Sequence, residues 1–277
     1  MRASPEPAGV NNVDQYLDAN KKMWDAWADA HVESELYDVA GFKRGRCSLC
    51  GVDLNEVGDV RGKSLLHVQC HFGLDTLSWA RLGAKVTGVD FSEKAIAAAR
   101  ALAEELSIPA EFVCSDVYSL PEVLKGQFDV VFTSAGVLCW LPDLAKWGQT
   151  VAHFVASGGF FYIREFHPVA DMFDYENPAP TVRLPYFHMR EPLREIDVGS
   201  YGGAAGTGGT KYEWFHSLSD VVNALIGAGL QIEFVHEFPY TTYQSHAWLT
   251  QGDDGLWRYD AVPNSIPLMF SIRATKT

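Results

Sequence analysis

Basic residues are scarce in this 277-residue chain: 22 lysines and arginines face 35 aspartates and glutamates, for a net charge of −13, and they form no run. Phosphate backbones are gripped by basic patches, so the composition argues against a nucleic-acid partner. Long apolar runs are missing too. The longest, around residues 130–141, is too short to span a bilayer, and residues 1–12, with Pro5, Pro7 and Gly9, lack the apolar centre of an export signal. A cytoplasmic protein with no membrane partner is expected, with residues 1–12 as a disordered lead-in. Cysteine is sparse and odd in number, five in all, which fits free thiols of a reducing compartment. Cys47 and Cys50 make a lone C-x-x-C; tetrahedral zinc needs more ligands than this segment offers, so a structural role and no metal are expected. There is no internal repeat and no G-x-G-x-x-G, the signature that closes backbone on a dinucleotide pyrophosphate.

What is present is concentrated in residues 64–90. Leu65, Leu66, Val68 and Cys70 form the nearly continuous apolar run of a strand buried on both faces, and Gly73 ends it. Leu74, Leu77, Trp79 and Leu82 follow at helical spacing, with Gly83 as the helix stop. Residues 86–89 read as a second strand, and Asp90 stands at its carboxyl end. An acid there, roughly 20 residues past a glycine loop, is placed to accept the hydroxyls of an adenosine ribose. At 47% hydrophobic, the chain can bury one full α/β core.

The loop Gln69-Cys70-His71-Phe72-Gly73 resembles the first motif of the class I S-adenosylmethionine-dependent methyltransferases, acidic-x-Gly-x-Gly-x-Gly. Gly73 matches its third glycine. Gln69 and His71 stand where the family has its first two, and His67 replaces the opening acid. Further motifs agree in order over about residues 60–275. Phe91 and Ser92 open a helix after Asp90, Ser92 being a good N-cap. A third strand at 110–114 runs into Ser115-Asp116-Val117, and a fourth at 128–132 runs into Thr133-Ser134-Ala135-Gly136. Ser157-Gly158-Gly159 turns into a fifth strand at 160–163. The resemblance implies a Rossmann-like, seven-stranded, mostly parallel sheet with helices on both faces, closed by strands at 230–238 and 266–272, the last antiparallel. It also implies S-adenosyl-L-methionine as cofactor, with S-adenosyl-L-homocysteine as product. Asp90 would take the ribose, Phe91 the adenine face, Asp116 and Val117 the adenine edge, and Gln69, His71, Gly73 and Ser134 would border the methionine end.

Residues 13–58 form an N-terminal helical segment, in which Tyr16, Met23, Trp24, Trp27 and His31 share one helical face. That face can dock on the sheet, and Tyr16, Asn20 and Trp24 can also close over the methionine end, as such helices do in the family. Residues 59–277 form the methyltransferase domain. Within it, residues 165–216 are too long for an ordinary connection, rich in aromatics, and carry GSYGGAAGTGG at 199–209, which reads as a substrate lid with a glycine tip. Residues 240–260, loop-like and aromatic, offer a second wall. The function expected is in-line methyl transfer to a small-molecule acceptor, with oxygen, nitrogen, sulfur and carbon left open. Glu165, His167 and His216 are the candidates for a base or for acceptor positioning. The alternative is a non-catalytic or repurposed cofactor-binding domain, prompted by Gln69 and His71; a nicotinamide dehydrogenase is weakened by the missing glycine signature. Neither acceptor nor oligomeric state is readable.

Overall fold

The computed structural model describes residues 12–200 and 208–277. The lead-in expected at residues 1–12 lies, but for Asn12, outside the described residues, as does most of the glycine tip. Three helices come first, α1 (Asn12–Glu33), α2 (Val39–Lys43) and α3 (Gly51–Val57). Strands and helices then alternate through β1 (Ser64–Val68), α4 (Leu74–Arg81), β2 (Lys85–Asp90), α5 (Glu93–Glu105), β3 (Glu111–Cys114), α6 (Leu120–Val123), β4 (Phe128–Thr133), α7 (Leu144–Phe154) and β5 (Val155–Phe166). A hairpin of β6 (Leu193–Val198) and β7 (Gly209–Glu213) precedes α8 (Leu218–Gly227) and β8 (Gln231–Phe238). The short pair β9 (Thr250–Gln251) and β10 (Trp257–Arg258) leads to β11 (Met269–Thr275).

Seven strands form one sheet in the order β3-β2-β1-β4-β5-β11-β8. From β3 to β5 all neighbours are parallel, and β11 runs antiparallel to both β5 and β8. Two strands differ from the predicted lengths by more than a residue at the ends that matter for the sheet, β5 and β11. β5 reaches Phe166, because β11 pairs with it from Phe160 to Phe166. β11 starts at Met269 rather than Ile266, since Pro267 has no amide for a ladder and Ile266 packs instead against the Trp248, Leu249 and Leu268 cluster.

Both faces of the sheet are covered. On one, Phe132 lies parallel to Tyr162 with centroids 5.9 Å apart, and Trp79 meets Phe132 edge-on. On the other, Trp147 of α7 packs with Phe161, Phe270 and Ile272 of the sheet, and α8 covers the same face. The helix starts follow local chemistry: Ser92 Oγ accepts from the Ala95 amide at the head of α5, and Ser217 and Asp220 form a capping box on α8. No helix among the described residues is long and apolar enough to cross a membrane. Chain order reverses between β1 and β4, so the loops leaving their carboxyl ends diverge and open a crevice.

Helix α1 closes one side of that crevice by gripping β7. Asn20 Nδ2 donates to the Tyr212 carbonyl at 2.8 Å, and its Oδ1 accepts from the Tyr212 amide at 2.8 Å, so a buried side chain continues the strand's ladder. The Tyr16 ring rests on Tyr212, centroids 4.4 Å apart. Asn20→Ala leaves both backbone groups unpaired, and a loss of about 2 kcal/mol in urea unfolding is expected. Amide exchange at Tyr212 should speed up markedly in the same variant; unchanged protection there would show that the clasp contributes nothing to the hairpin.

Candidate functional site

The crevice is a cavity of about 550 Å³ at the carboxyl ends of β1, β2, β3, β4 and β5. Its floor is the loop between β1 and α4. Gly73 there takes φ +81°, and a Cβ on it would come within 2.8 Å of the Phe112 ring, so only glycine fits. Gln69 and His71 also adopt left-handed backbone, with φ of 61° and 52°. Side chains in that region cost on the order of 1 kcal/mol each, which is why glycines suit such a loop and why these two residues stand out.

Both side chains remain at the crevice. Gln69 Nε2 donates to the Val137 carbonyl at 3.2 Å, and His71 Nε2 lies 2.9 Å from His31 Nδ1. Burial lowers the pKa of His71 well below the usual imidazole range and that of His31 to about 4, so both rings are neutral at pH 7. Gln69 Oε1 and His71 Nδ1 are buried with no hydrogen-bond partner among the described residues. Such orphans call for a polar ligand group. Trp24 packs edge-on against both His71 and Trp140, bridging this loop to the one after β4.

Asp90 ends β2 with 8% exposure, Oδ2 accepting from the His71 amide at 2.8 Å and Oδ1 from the Ser92 amide at 2.9 Å. Each oxygen keeps a lone pair for a hydroxyl. Burial raises its pKa from the usual carboxylate range to about 6, the amides holding it from going further. Asp116 uses Oδ1 on the Tyr118 and Ser119 amides, while Oδ2 accepts no hydrogen bond from the described residues, and Phe91 and the buried Val117 line the crevice nearby. Ser134 lines it from the end of β4, its Oγ 3.2 Å from Nε2 of the buried His67.

Four expected positions turn out differently. Glu165 is not an uncommitted carboxylate: Oε2 accepts from the Val137 and Leu138 amides at 2.8 and 3.2 Å, and Oε1 from the Gly136 and Phe166 amides. It shapes the loop after β4. His167 lies outside the crevice lining, with Nε2 donating to Glu237 Oε1 at 2.9 Å and Nδ1 accepting from the Val169 amide at 3.1 Å. Tyr16 likewise does not line the crevice; it packs on Tyr212 and Trp214, and Asn20 is spent on β7. His216 does line it, donating from Nε2 to the Leu141 carbonyl at 2.7 Å, with a pKa that burial lowers to about 4. Its Nδ1 therefore carries a lone pair at neutral pH.

Residues 66–163 match the family model described as a methyltransferase domain. This stretch, running from β1 to β5, is thus similar to methyltransferase domains. Its fold resembles an S-adenosylmethionine-dependent methyltransferase from Mesorhizobium loti, with a TM-score of 0.57 and 22% identity over 84% of this chain and 99% of that one. It also resembles a glycopeptide N-methyltransferase complexed with S-adenosylmethionine, with a TM-score of 0.52 and 19% identity over 80% and 90%. Among curated proteins, ubiquinone biosynthesis O-methyltransferases are similar: that of Shewanella pealeana is 29% identical over 157 residues, 55% of this chain and 62% of the relative. That of Photorhabdus laumondii is 31% identical over 56% of this chain and 63% of the relative. The match thus spans about three fifths of these relatives' length.

The residues suit S-adenosylmethionine, the ligand in that glycopeptide N-methyltransferase structure. An adenosine finds Asp90, Phe91 and Asp116 along one side, and an amino-acid end finds the orphaned polar atoms of Gln69 and His71. One lining region had no signal in the sequence, Leu36 to Ser48, which contributes Tyr37, Arg46 and Ser48; within the insertion expected to wall the crevice, Asp171, Glu195 and Glu213 were not singled out. A charged residue in an irregular loop has no periodicity to betray it.

Asp90→Ala should weaken S-adenosylhomocysteine binding at least tenfold by calorimetry, since two hydroxyls lose a charged acceptor. Because Asp90 is protonated below about pH 6 in the ligand-free protein, affinity should fall as pH drops from 7 to 5, and Asp90→Asn should flatten that dependence. The same raised pKa makes protonated Asp90 favour the ligand-free fold, fully below about pH 4 and no longer above about pH 6. A pH-independent wild-type affinity would remove Asp90 from the site.

Proposed function

We propose that this protein transfers a methyl group from S-adenosylmethionine to a small-molecule acceptor bound in the half of the crevice walled by the insertion. The observation that carries the proposal is convergence: Gly73, Asp90, Asp116 and Ser134, from the ends of four neighbouring strands, line one cavity with Tyr186, Trp214 and Phe215 of the insertion. An oxygen acceptor is favoured, in line with the names of the O-methyltransferases to which residues of this chain are similar.

The bound donor supplies an electrophilic methyl carbon on a sulfonium. Transfer is an in-line displacement, so the protein's work is alignment and exclusion of water. Gln69 and His71 hold the amino-acid end, Asp90 and Asp116 the adenosine, and Trp24 with Trp140 closes the roof between them. The aromatic wall of the insertion then orients an acceptor body. A negative chain as a whole also suits a cationic donor.

Residues 69 and 71 favour a second reading, a domain that binds the donor or its product without transferring methyl, because two side chains occupy positions where glycines border the ligand. Calorimetry with S-adenosylmethionine and S-adenosylhomocysteine, followed by a product-release assay over alcohols, phenols, amines and thiols, separates the two. Binding with turnover supports transfer; binding with no turnover on any acceptor class supports the second reading; no binding overturns both. Tyr186→Ala should raise the acceptor KM about tenfold while donor affinity stays within threefold, because Tyr186 belongs to the insertion and not to the strand ends. Parallel losses for donor and acceptor would contradict that division.

A further inference from the structure

One carboxylate in the acceptor half of the crevice is left uncommitted by the fold. Asp171 sits in the single turn Ala170–Met172 at the start of the insertion and lines the cavity. Its backbone amide is tied to the His167 carbonyl, yet its carboxyl accepts no hydrogen bond from the described residues. Every other acid on that wall is engaged. Glu165 holds four amides, and Glu213 and Glu195 share the Lys211 ammonium at 2.8 and 3.0 Å. His246, 2% exposed, lines the same cavity and is tied to the Ser245 hydroxyl through Nδ1 at 2.9 Å and to the Ala170 backbone.

We propose that Asp171 is the general base of the transfer, taking the proton of an uncharged acceptor hydroxyl held between Asp171 and the aromatic wall. This rests on the methyl-transfer reading above and names the acceptor class. The hydroxyl hydrogen passes to a carboxylate oxygen of Asp171 as the acceptor oxygen's lone pair forms the new C–O bond. The S–C electron pair stays on sulfur, and the proton leaves to water after product departs. Glu165 from β5 and Glu213 from β7 face the same space, with Lys211 the one cation among the described residues shifting Asp171, and Cys139 and Tyr175 complete its surroundings. This acidic wall repels carboxylate, phosphate and thiolate acceptors. Burial first, then the charges of Glu165 and Glu213, raises the Asp171 pKa to about 7, the value at which a base is both largely free and still able to hold a proton. His216, with its pKa lowered to about 4, is too weakly basic to compete.

Two measurements test this. Carboxyl-carbon NMR of the full chain, wild type against Asp171→Asn, should assign to Asp171 a titration midpoint near 7; a midpoint near 4 overturns the proposal. Turnover is then screened with phenol, catechol, benzyl alcohol, benzylamine, thiophenol and benzoate as probes. On the best hydroxyl probe Asp171→Asn should lose at least 100-fold in kcat, with S-adenosylhomocysteine affinity within threefold as the check on folding. The acidic limb of the wild-type kcat/KM profile near pH 7 should vanish in that variant, and Asp171→Glu should recover part of the rate. A kcat within threefold of wild type, or an unchanged limb, overturns the base. Turnover confined to thiophenol, benzylamine or benzoate overturns the hydroxyl class while methyl transfer itself stands. Failure to bind S-adenosylhomocysteine removes both.

Discussion

Glu165 gathers the amides of Gly136, Val137, Leu138 and Phe166, and with them fixes the loop leaving β4 against the end of β5. Burial raises its pKa above the usual carboxylate range and the four amide donors limit that rise, so the side chain serves as an internal template for backbone. The consequences spread outward. With the loop in place, the Gly136 carbonyl takes the Trp140 indole at 2.8 Å, Val137 offers its carbonyl to Gln69, and Trp140 meets Trp24. Loop, floor and roof of the crevice thus depend on one buried acid whose oxygens are spent on backbone amides.

Asp90 does the corresponding work at the other end. Its two oxygens take amides from the β1–α4 loop and from the head of α5, so the turn carrying His71 and the helix carrying Ser92 are set by one side chain. Ser92 in turn caps α5 and donates to Asp25 of α1 at 2.6 Å. The same α1 that grips β7 is therefore anchored beside the adenosine end. A segment near the start of the chain and an insertion after β5 are tied together across the opening, which gives closure a physical route from donor side to acceptor side.

The left-handed positions of Gln69 and His71 carry a cost that glycines would avoid, and the surroundings show what offsets it. His71 is held by His31, Trp24 and Tyr37, and Gln69 by Val137. Their two unpartnered atoms face the same crevice. Strain together with unsatisfied polarity on one loop is the arrangement expected where a ligand completes the structure.

The alternation of strands and helices, the ends of β1 to β4, and the placement of Gly73, Asp90, Asp116 and Ser134 along one edge were determined by the sequence alone. Buried parallel strands write themselves as apolar runs, and whatever follows their last residue lies at the carboxyl edge. The full reach of β5, the start of β11, the capture of Tyr16 and Asn20 by β7, and the removal of His167 to Glu237 were decided by tertiary structure. So was the contrast between an occupied Glu165 and an uncommitted Asp171. These outcomes turn on which distant backbone and side-chain partners arrive within 3 Å or so of a polar atom, and hydrogen bonds such as those spanning 70 and 192 residues of chain leave no trace in local pattern.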